Sequence, residues 1–403
     1  MLVLTYNRTL RGYIAALVEQ QLSNTPDVSI QVSTFSKWAR TVLGNPTIIS
    51  QYRRRDIIIR SASGISLPRD FLLDEIEYLM GRYLPGDRST YTTTQRTGRG
   101  ALPRVDRALR KSILDDVVIP YQNQIDKEQL WDWNDLAVKL ALEKLDHLYD
   151  IVIADETQDF SANQIRAINN QLTPVHSLTL IVDTAQRIYA RGFTWQEVGL
   201  TIRPENSRRL LRNYRNTLEI AHFASSILNG LPADDDATIP DFNQCTRHGP
   251  KPIILRGKFA LQTSYVIDYL LNQISLTNES VAILHPLGGD WQNYLRSRLI
   301  QAGLRFVEIA RESEWPAGDE NIALSTIHSA KGLEFDHVTM IGLNAEVLTH
   351  GKEPEDDALL KLRRLLAMGI SRARVSVLLG YSPDDVSQLF QYFDANTYDA
   401  VNL

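Results

Sequence analysis

The segment YDIVIADETQDFSANQ, residues 149–164, decides the fold class of this 403-residue chain. An apolar run at 151–154 ends directly in Asp155 and Glu156, and Ser161 then stands where it can cap a helix. A buried strand followed by a polar turn and a capped helix is typical of an α/β unit in a parallel sheet. Ligands of open α/β sheets bind beyond the carboxyl ends of the strands, so two carboxylates at this point indicate a functional crevice.

The same alternation of strand and helix runs through most of the chain. Further apolar runs predict buried strands at 2–5, 29–33, 178–182, 252–255, 281–285, 322–326, 338–343 and 375–380. Helical periodicity follows many of them, at 8–22, 34–43, 134–148, 162–172, 216–229, 259–275, 289–302 and 358–374. The sequence therefore predicts an α/β protein with two halves, each built around a parallel sheet.

Two stretches interrupt this alternation of strands and helices. Residues 51–130 are rich in arginine and mostly helical, with a polar patch at 87–100 that we expect to be flexible, and they read as an insertion. Residues 231–250 form a Pro/Asp-rich loop. Within the insertion, residues 51–111 hold twelve Arg and one Lys against seven acids. Such a charge excess suits contact with a polyanion, and it suits a solvated helical surface equally well.

Composition excludes several classes of protein. The chain has 43 basic and 48 acidic residues, a net charge of −5, which argues against a wholly basic nucleic-acid coat protein. Cys245 is the one cysteine, so an internal disulfide framework and a Cys-rich zinc site are excluded. No apolar run approaches about 18 residues, and we therefore expect no membrane span and a soluble, cytoplasmic protein.

The carboxylates after the strand at 151–154 have a specific chemical use. One carboxylate in such a place holds Mg²⁺, usually through the waters of the metal, while its neighbour polarises an attacking water. The alternative is an acidic turn that caps the N-terminus of the following helix.

Four further segments stand in a fixed order after this one: VDTAQRIYARGFTW (182–195), LLRNYRN (210–216), LSTIHSAKGLEFDHV (324–338) and LLAMGISRARVSVLLG (365–380). With residues 149–164, they resemble motifs II to VI of the UvrD/Rep-like superfamily 1 helicases. VLTYNRTLRGYI (3–14) resembles motif Ia, and VSTFSKWA (32–39) resembles the strand-contacting segment that follows it. The resemblance covers nearly the whole chain.

The resemblance implies a fold and domain boundaries. We expect two RecA-like domains, at 1–203 with the insertion at about 50–130 and at 204–403, with the nucleotide between them. The first domain would be incomplete at its N-terminus.

The resemblance also implies roles for the first group of site residues, with ATP and Mg²⁺ as cofactors. Asp155 would bind Mg²⁺, and Glu156 would activate the hydrolytic water. Gln158 and Gln186 would sense the γ-phosphate and couple it to the DNA groove.

A second group would contact the nucleotide from the C-terminal half. Tyr214 would stack on adenine, Glu334 would hydrogen-bond the ribose, and Arg215 and Arg372 would reach the γ-phosphate, whose charge guanidinium groups stabilise during transfer. For Arg374 we expect only a pair with an acid on its own helix.

Single-stranded DNA would be held by aromatic and polar groups, since stacking of a base on an aromatic ring is worth about 1–3 kcal/mol. The residues implied by resemblance are Tyr6, Asn7, Arg8, Thr34, Phe35, Tyr189 and His328. The alternative for Phe35 and Tyr189 is a place in the hydrophobic core. Arg191 stands where many relatives carry a further stacking aromatic residue.

One family element is missing from these 403 residues. The phosphate-binding loop G-x-x-x-x-G-K-[ST] precedes motif Ia in the family, and no such segment occurs in this sequence. We therefore weigh three explanations: an N-terminally truncated helicase, a split enzyme whose partner chain supplies the loop, and a pseudo-helicase that binds nucleic acid without hydrolysing ATP. The expected function is ATP-dependent translocation or unwinding on single-stranded DNA with 3′-to-5′ polarity. A non-catalytic DNA-binding or regulatory subunit is the alternative.

Overall fold

A computed structural model describes residues 1–6, 8–22, 29–97, 99, 101–182, 192–208, 213–231, 245–287, 291–309 and 320–403. The chain divides into two compact units, of which the first comprises Met1–Tyr6, Leu22–Val182 and Tyr189–Ser207. The second comprises Asn7–Gln21, Asp183–Ile188 and Arg208–Leu403. Residues 7–21, which the sequence assigned to the first domain, thus group with the second unit.

The first unit contains a sheet of four parallel strands. These are β1 (Leu2–Thr5), β2 (Gln31–Thr34), β3 (Tyr149–Ala154) and β4 (Leu172–Leu180), in the spatial order β2-β1-β3-β4. Strand β1 leads into helix α1 (Arg8–Leu22), and β2 leads into α2 (Phe35–Val42). Side chains alternate across the strands, so Leu2, Leu4, Val152 and Ala154 share one face and lie in the core.

The insertion is helical and has a core of its own. It consists of α3 (Gln51–Ser61), α4 (Arg69–Arg82), a 3₁₀ helix (Pro85–Thr92), α5 (Arg107–Ser112), a π-helical turn (Ile113–Val118) and α6 (Ile119–Lys127). Its core includes Ile58, Ile76, Leu79, Tyr91 and Val117. Helices α7 (Trp133–Leu142) and α8 (Ala162–Asn170) then pack on the core face of the sheet.

Within the polar patch at 87–100, the described residues 87–97 and 99 do not form the flexible segment that the sequence predicted. Glu75, fully buried on α4, accepts hydrogen bonds from Tyr91 Oη (2.8 Å), from Arg96 Nε (2.8 Å) and Nη2 (2.6 Å), and from Arg99 Nε (3.1 Å). These bonds compensate the desolvation of the Glu75 carboxylate and lower its pKa. The prediction failed because sequence composition does not reveal a partner that lies sixteen or more residues away.

Much of the positive charge of the insertion is paired within the first unit. Arg54 pairs with Asp132 and Glu77, Arg82 with Glu197, Arg96 and Arg99 with Glu75, and the exposed Arg53, Arg55 and Arg60 with Glu128, Asp70 and Asp56. This pairing favours the structural alternative over a continuous basic face.

In its described residues, the second unit contains a sheet of seven parallel strands. They are β5 (Ile253–Arg256), β6 (Val281–His285), β7 (Val307–Ile309), β8 (Ile322–Thr326), β9 (Phe335–Met340), β10 (Ala373–Tyr381) and β11 (Asp399–Asn402). Their order is β11-β5-β10-β9-β6-β8-β7. The helices are α9 (Leu218–Ser226), α10 (Phe259–Asn272), α11 (Trp291–Gln301) and α12 (Asp357–Ile370).

The apolar runs of this unit follow from burial on both faces. In β6, Ala282 and Leu284 belong to one core cluster, while Val281 and Ile283 belong to another on the opposite face. Strands buried on both sides are a mark of parallel sheets flanked by helices. The predicted α/β class with two parallel sheets is therefore confirmed. Strands β7 and β11 were not predicted, since VEI and DAVN are short and partly polar.

In the part of the chain that the structure describes, no helix combines the length and the apolar character needed to cross a membrane.

Candidate functional site

The turn after β3 is anchored to the strands on both sides of it. The Asp155 N–H donates to the carbonyl of Leu4 on β1 (2.8 Å). Thr157 donates from its N–H (3.0 Å) and its Oγ1 (2.8 Å) to the carbonyl of Ile181, just beyond β4. The turn therefore spans the carboxyl ends of β1, β3 and β4, the edge at which open α/β sheets bind ligands.

Within this turn, Glu156 is buried and has a left-handed backbone with φ of +54°. Its N–H donates to Asp155 Oδ1 (2.8 Å), and Gln158 Nε2 donates to its carboxylate Oε2. A non-glycine residue in this region carries about 1–3 kcal/mol of strain, which persists where the surroundings enforce it and is concentrated at functional sites. The sequence-predicted residues Asp155, Glu156 and Gln158 are thus held together in one constrained turn.

The donor set of this turn fits Mg²⁺ only in part. Among the described residues, no group of three or more His, Cys, Asp or Glu side chains converges to hold a metal ion. Magnesium characteristically uses one or two protein carboxylates and completes its shell with waters and substrate phosphates. The half-buried Asp155 carboxylate fits this mode of binding.

In the second unit, residues 213–216 form a compact turn. Asn213 Oδ1 accepts from the N–H groups of both Arg215 and Asn216, at 3.1 Å each. Tyr214 is 66% exposed, so its ring is available for stacking. The Arg215 guanidinium forms an ion pair with Glu334, with Nε and Nη2 each 2.6 Å from Oε1. The structure therefore brings together two residues that the resemblance assigns to one nucleotide.

Asn216 is a residue that sequence reasoning missed. It is buried, and its Nδ2 donates to the carbonyls of Ser371 (3.0 Å) and Ala373 (2.6 Å), the two neighbours of Arg372. Its Oδ1 accepts from Asn213 Nδ2 (3.0 Å). Asn216 thus joins the turn at 213–216 to the start of β10. Its place as the last residue of the segment LLRNYRN (210–216) was the sequence signal.

Arg372 is placed differently from the sequence expectation. Its side chain is 1% exposed and donates from Nε to the Met368 carbonyl and from Nη1 to the Leu333 carbonyl, at 3.3 Å each. In this structure the guanidinium is therefore held by backbone carbonyls inside the second unit and is not presented to a phosphate. Burial of this kind depends on the packing of α12 against the turn at 326–334, which the sequence does not show.

Arg374 also departs from the expectation of a partner on its own helix. It lies on β10, half exposed, with Nη1 3.9 Å from Asp336 Oδ1 on the neighbouring strand β9. A pair this exposed contributes little to stability.

The turn between β8 and β9 carries His328 and Glu334 on its exposed side, while Lys331 is buried. Gly332 has a left-handed backbone with φ of +82°, and a Cβ there would lie 2.7 Å from Leu10 Cδ2. Both the backbone conformation and the lack of space therefore require glycine.

On the adjacent strand β6, burial lowers the pKa of His285 to about 3. Its Nδ1 accepts a hydrogen bond from the N–H of Leu287 (3.2 Å).

The residues expected to contact DNA separate into exposed and buried groups. Tyr6 is half exposed, with its ring edge-on to Phe160 at 6.2 Å, and Arg8 is exposed on α1. Thr34 is buried and caps α2 by accepting from the N–H of Lys37 (3.3 Å).

Phe35 departs from the expectation of a stacking surface. It is 3% exposed and packs against Trp38 and Phe160, so in this structure it occupies the core position that the sequence left as its alternative. Asn7, Gln186, Tyr189 and Arg191 lie outside the described residues.

Comparison with known families assigns the chain to a class. Residues 89–194 match the UvrD/REP helicase N-terminal domain, and residues 290–383 match the UvrD-like helicase C-terminal domain. The chain belongs to the UvrD/Rep-like superfamily 1 helicase family.

Individual relatives are distant or match over short segments. The chain is 36% identical over 77 residues to the ATP-dependent DNA helicase UvrD2 of Mycobacterium tuberculosis, covering 18% of this chain and 11% of that protein. It is 22% identical over 280 residues to a probable DNA helicase of Mycoplasma pneumoniae, covering 64% of this chain and 50% of that protein. It is 38% identical over 55 residues to the ATP-dependent DNA helicase Rep of Escherichia coli, covering 14% of this chain and 8% of that protein. The matched segments thus span half or less of these relatives.

Among solved structures, the C-terminal domain of a possible DNA helicase from Lactobacillus plantarum WCFS1 is similar, with a TM-score of 0.35 and 22% identity. That match covers 47% of this chain and 98% of the other.

Proposed function

We propose that this chain forms the ATP-hydrolysing and DNA-tracking core of a UvrD/Rep-type translocase or helicase that moves 3′-to-5′ on single-stranded DNA. The observation that supports the proposal most is the turn at 155–158. It places two carboxylates at the carboxyl end of β3 and links one of them to Gln158.

In this proposal the two carboxylates have separate tasks. Asp155 holds Mg²⁺, which when bound neutralises phosphate charge. Glu156 accepts a proton from the attacking water, and the hydrogen bond from Gln158 Nε2 fixes the orientation of its carboxylate. The strained backbone of Glu156 serves to aim this side chain.

The second unit contributes the groups that contact the nucleotide. The exposed Tyr214 ring stacks on the base, and Arg215 exchanges its Glu334 partner for a phosphate. Released from Arg215, the Glu334 carboxylate accepts a hydrogen bond from the ribose. Arg372 acts on the phosphate only after leaving its carbonyl partners, Met368 and Leu333.

Single-stranded DNA binds through the exposed members of the predicted set, which are Tyr6, Arg8 and His328. An exposed ring gives a stacking surface for a base, and cationic side chains attract phosphates. ATP turnover further requires a G-x-x-x-x-G-K-[ST] loop, which these 403 residues do not contain.

The test is a steady-state ATPase assay with single-stranded DNA, on the chain alone and with the loop supplied. We expect little turnover by the chain alone and DNA-stimulated turnover with the loop. Glu156→Gln should abolish the stimulated rate, whereas Glu355→Gln, an exposed glutamate elsewhere, should leave it unchanged. Turnover that is insensitive to Glu156→Gln would refute the proposed role of the turn.

A second candidate function is DNA binding without hydrolysis. The burial of Arg372 and the occupation of Arg215 by Glu334 favour it, since both predicted phosphate-binding arginines already have protein partners. In that case DNA binding would persist while the loop-supplied chain remained inactive.

A further inference from the structure

The first unit contains a cavity of about 260 Å³ that lies apart from the turn at 155–158. The end of α7, the C-terminal half of α8 and a 3₁₀ turn at Gln196–Val198 surround it. Helix α8 begins just after the turn at 155–158 and rises about 1.5 Å per residue, so its far end lies roughly 12 Å away. The residues that line this basic cavity are Ala141, Lys144, Arg166, Asn169, Asn170 and Val198.

The lining carries two cations and no carboxylate. Lys144 is exposed, and its side chain forms no ion pair or hydrogen bond within the part of the chain that the structure describes. The acids next to lining residues in the sequence have other partners, since Glu143 pairs with Lys139 and Glu197 pairs with Arg82 at 2.7 Å. The positive charge of the cavity is therefore not neutralised by these neighbours.

The guanidinium of Arg166 is fixed in place and still has donors to offer. Its Nη1 donates to the Arg82 carbonyl and to Asn163 Oδ1, at 2.6 Å each, and its Nη2 donates to the Glu197 carbonyl (3.0 Å). These three bonds leave further N–H groups of the guanidinium unused. Among the described residues no carboxylate lies within ion-pair distance of Arg166, and burial lowers its pKa. Its charge is thus held by neutral acceptors alone.

Two carboxamides stand beside this guanidinium. Arg166, Asn169 and Asn170 are three and four residues apart and so share one face of α8. The Asn169 side chain makes no hydrogen bond to any other described residue. Asn170 Nδ2 uses one donor on the Leu140 carbonyl (3.0 Å). The cavity therefore presents amide donors together with its two cations.

The end of α7 is arranged so that its carbonyls do not repel an anion. Carbonyl groups at a helix C-terminus carry partial negative charge. Here Gln171 Nε2 donates to the carbonyls of Leu140 and Glu143, at 2.7 Å each, and Gln171 Oε1 accepts from the N–H of Leu145 (2.8 Å). The same three bonds fix the backbone on both sides of Lys144, which holds this cation at the cavity.

We propose that the basic cavity is a binding site for a phosphate group, either free or carried by a small molecule. Two cations without a carboxylate match a dianion, and a phosphate monoester carries about −1.5 to −2 charges at pH 7. Guanidinium and ammonium groups form charge-assisted hydrogen bonds to phosphate oxygens. The volume is below the roughly 300–1,000 Å³ of pockets for drug-sized ligands, which favours a small ligand. The site is separate from the proposed nucleotide site and does not depend on ATP hydrolysis.

The experiment is a titration of the full chain with inorganic phosphate at constant ionic strength, followed by NMR. The signals are the side-chain amide of Asn169 and the Nε–H of Arg166. We expect both to shift with one common half-saturation in the millimolar range. Sulfate, a second dianion, should act in the same way, whereas acetate should require a roughly tenfold higher concentration. Shifts that do not saturate, or that acetate reproduces at equal concentration, overturn the proposal.

Two substitutions test the residues that have no other task in the fold. Lys144→Gln and Asn169→Ala remove side chains without protein hydrogen bonds, so the fold should persist. Each should raise the half-saturation at the Arg166 signal, by roughly tenfold for the cation. Lys127→Gln is the matched control, because Lys127 is an exposed lysine in the last turn of α6 and outside the cavity. Equal half-saturation in the two lysine variants would show that Lys144 serves only the end of α7 and overturns the site.

Further arms identify the source of the phosphate and separate the site from catalysis. Tighter binding of methyl phosphate than of inorganic phosphate supports a phosphate carried by an organic molecule, and weaker or equal binding supports the free ion. Displacement of phosphate by a single-stranded oligonucleotide overturns the assignment to a small ligand. Glu156→Gln should leave the half-saturation unchanged, so that failure of the proposed ATPase and failure of this site are distinguishable.

Discussion

Arg215 directs both Nε and Nη2 to a single oxygen of Glu334, at 2.6 Å each, so the two side chains neutralise one another within the second unit. The pair joins the turn at 213–216 to the turn between β8 and β9. Both residues resemble nucleotide contacts of the helicase family. A nucleotide that engages either one must therefore compete with the other.

The strength of this pair is measurable by a double-mutant cycle. The side chains are 29% and 43% exposed, so we expect a coupling free energy of only about 0.2–1 kcal/mol between Arg215→Ala and Glu334→Ala. Urea unfolding of the four proteins gives this value, and added salt should reduce it. A coupling above about 2 kcal/mol would contradict the exposed character of the pair.

Asn216 is expected to matter more for stability than either member of that pair. Asn216→Ala removes both hydrogen bonds to the neighbours of Arg372 and should lower the free energy of unfolding by about 1–3 kcal/mol. Asn216→Asp should destabilise further, because a carboxylate would face two carbonyl oxygens. Asn278→Asp, at an exposed site, is the matched control in a urea titration. Equal stability of the two Asp variants would refute the bridging role.

In the insertion, Glu75→Gln should destabilise by about 3–5 kcal/mol. The change removes a buried negative charge from between Arg96 and Arg99 and leaves their charge uncompensated. Asp56→Asn, which breaks the exposed pair with Arg60, should change stability by less than about 1 kcal/mol. Chemical denaturation gives both values, and limited proteolysis should show new cleavage near 91–99 in the Glu75 variant alone.

Stability should depend on pH through His285. Burial lowers its pKa in the folded chain to about 3, against about 6.5 when unfolded. Between these values the unfolded state binds more protons, so the free energy of unfolding falls by about 1 kcal/mol per pH unit as pH drops below about 6.5. His285→Asn should remove this contribution in urea titrations at pH 7 and pH 5. If the free energy of unfolding varies with pH equally in both proteins, His285 is protonated in the folded chain without a cost in free energy.

DNA binding should distinguish the exposed from the buried aromatic residue. Under the proposed function, Tyr6→Ala should weaken single-stranded DNA binding by about 1–3 kcal/mol, measured by fluorescence anisotropy. Phe35→Leu, in the core, should lower the melting temperature and leave affinity unchanged. Affinity should also fall as salt rises, through counterion release.

The sequence predicted the strands well because those of parallel sheets are continuous apolar runs, as in LVLT and VAILH. It located the turn at 155–158 for the same reason, since polar residues directly after such a run lie at the carboxyl end of the strand. It missed β11, whose sequence DAVN has no apolar pattern and pairs with β5 only at the sheet margin.

The environments of single side chains could not be predicted from the sequence. Arg372 reads as an exposed motif residue, yet it is buried against the carbonyls of Met368 in α12 and of Leu333 in the turn before β9. Glu75 reads as one acid in a charged helix, although three partners from 91–99 make it the centre of the insertion. The contact of Arg372 with Leu333 and the contacts of Glu75 all join residues that are distant in the chain.

The bridge from Asn216 has a consequence for the order in which the protein is made. Its two acceptors lie 155 and 157 residues further along the chain. At a synthesis rate of about 5–20 residues per second, this separation corresponds to roughly 8–30 seconds on the ribosome. During that interval the turn at 213–216 emerges without the carbonyls that fix it. The turn at 213–216 is thus completed by the start of a strand that is translated 155 to 157 residues later.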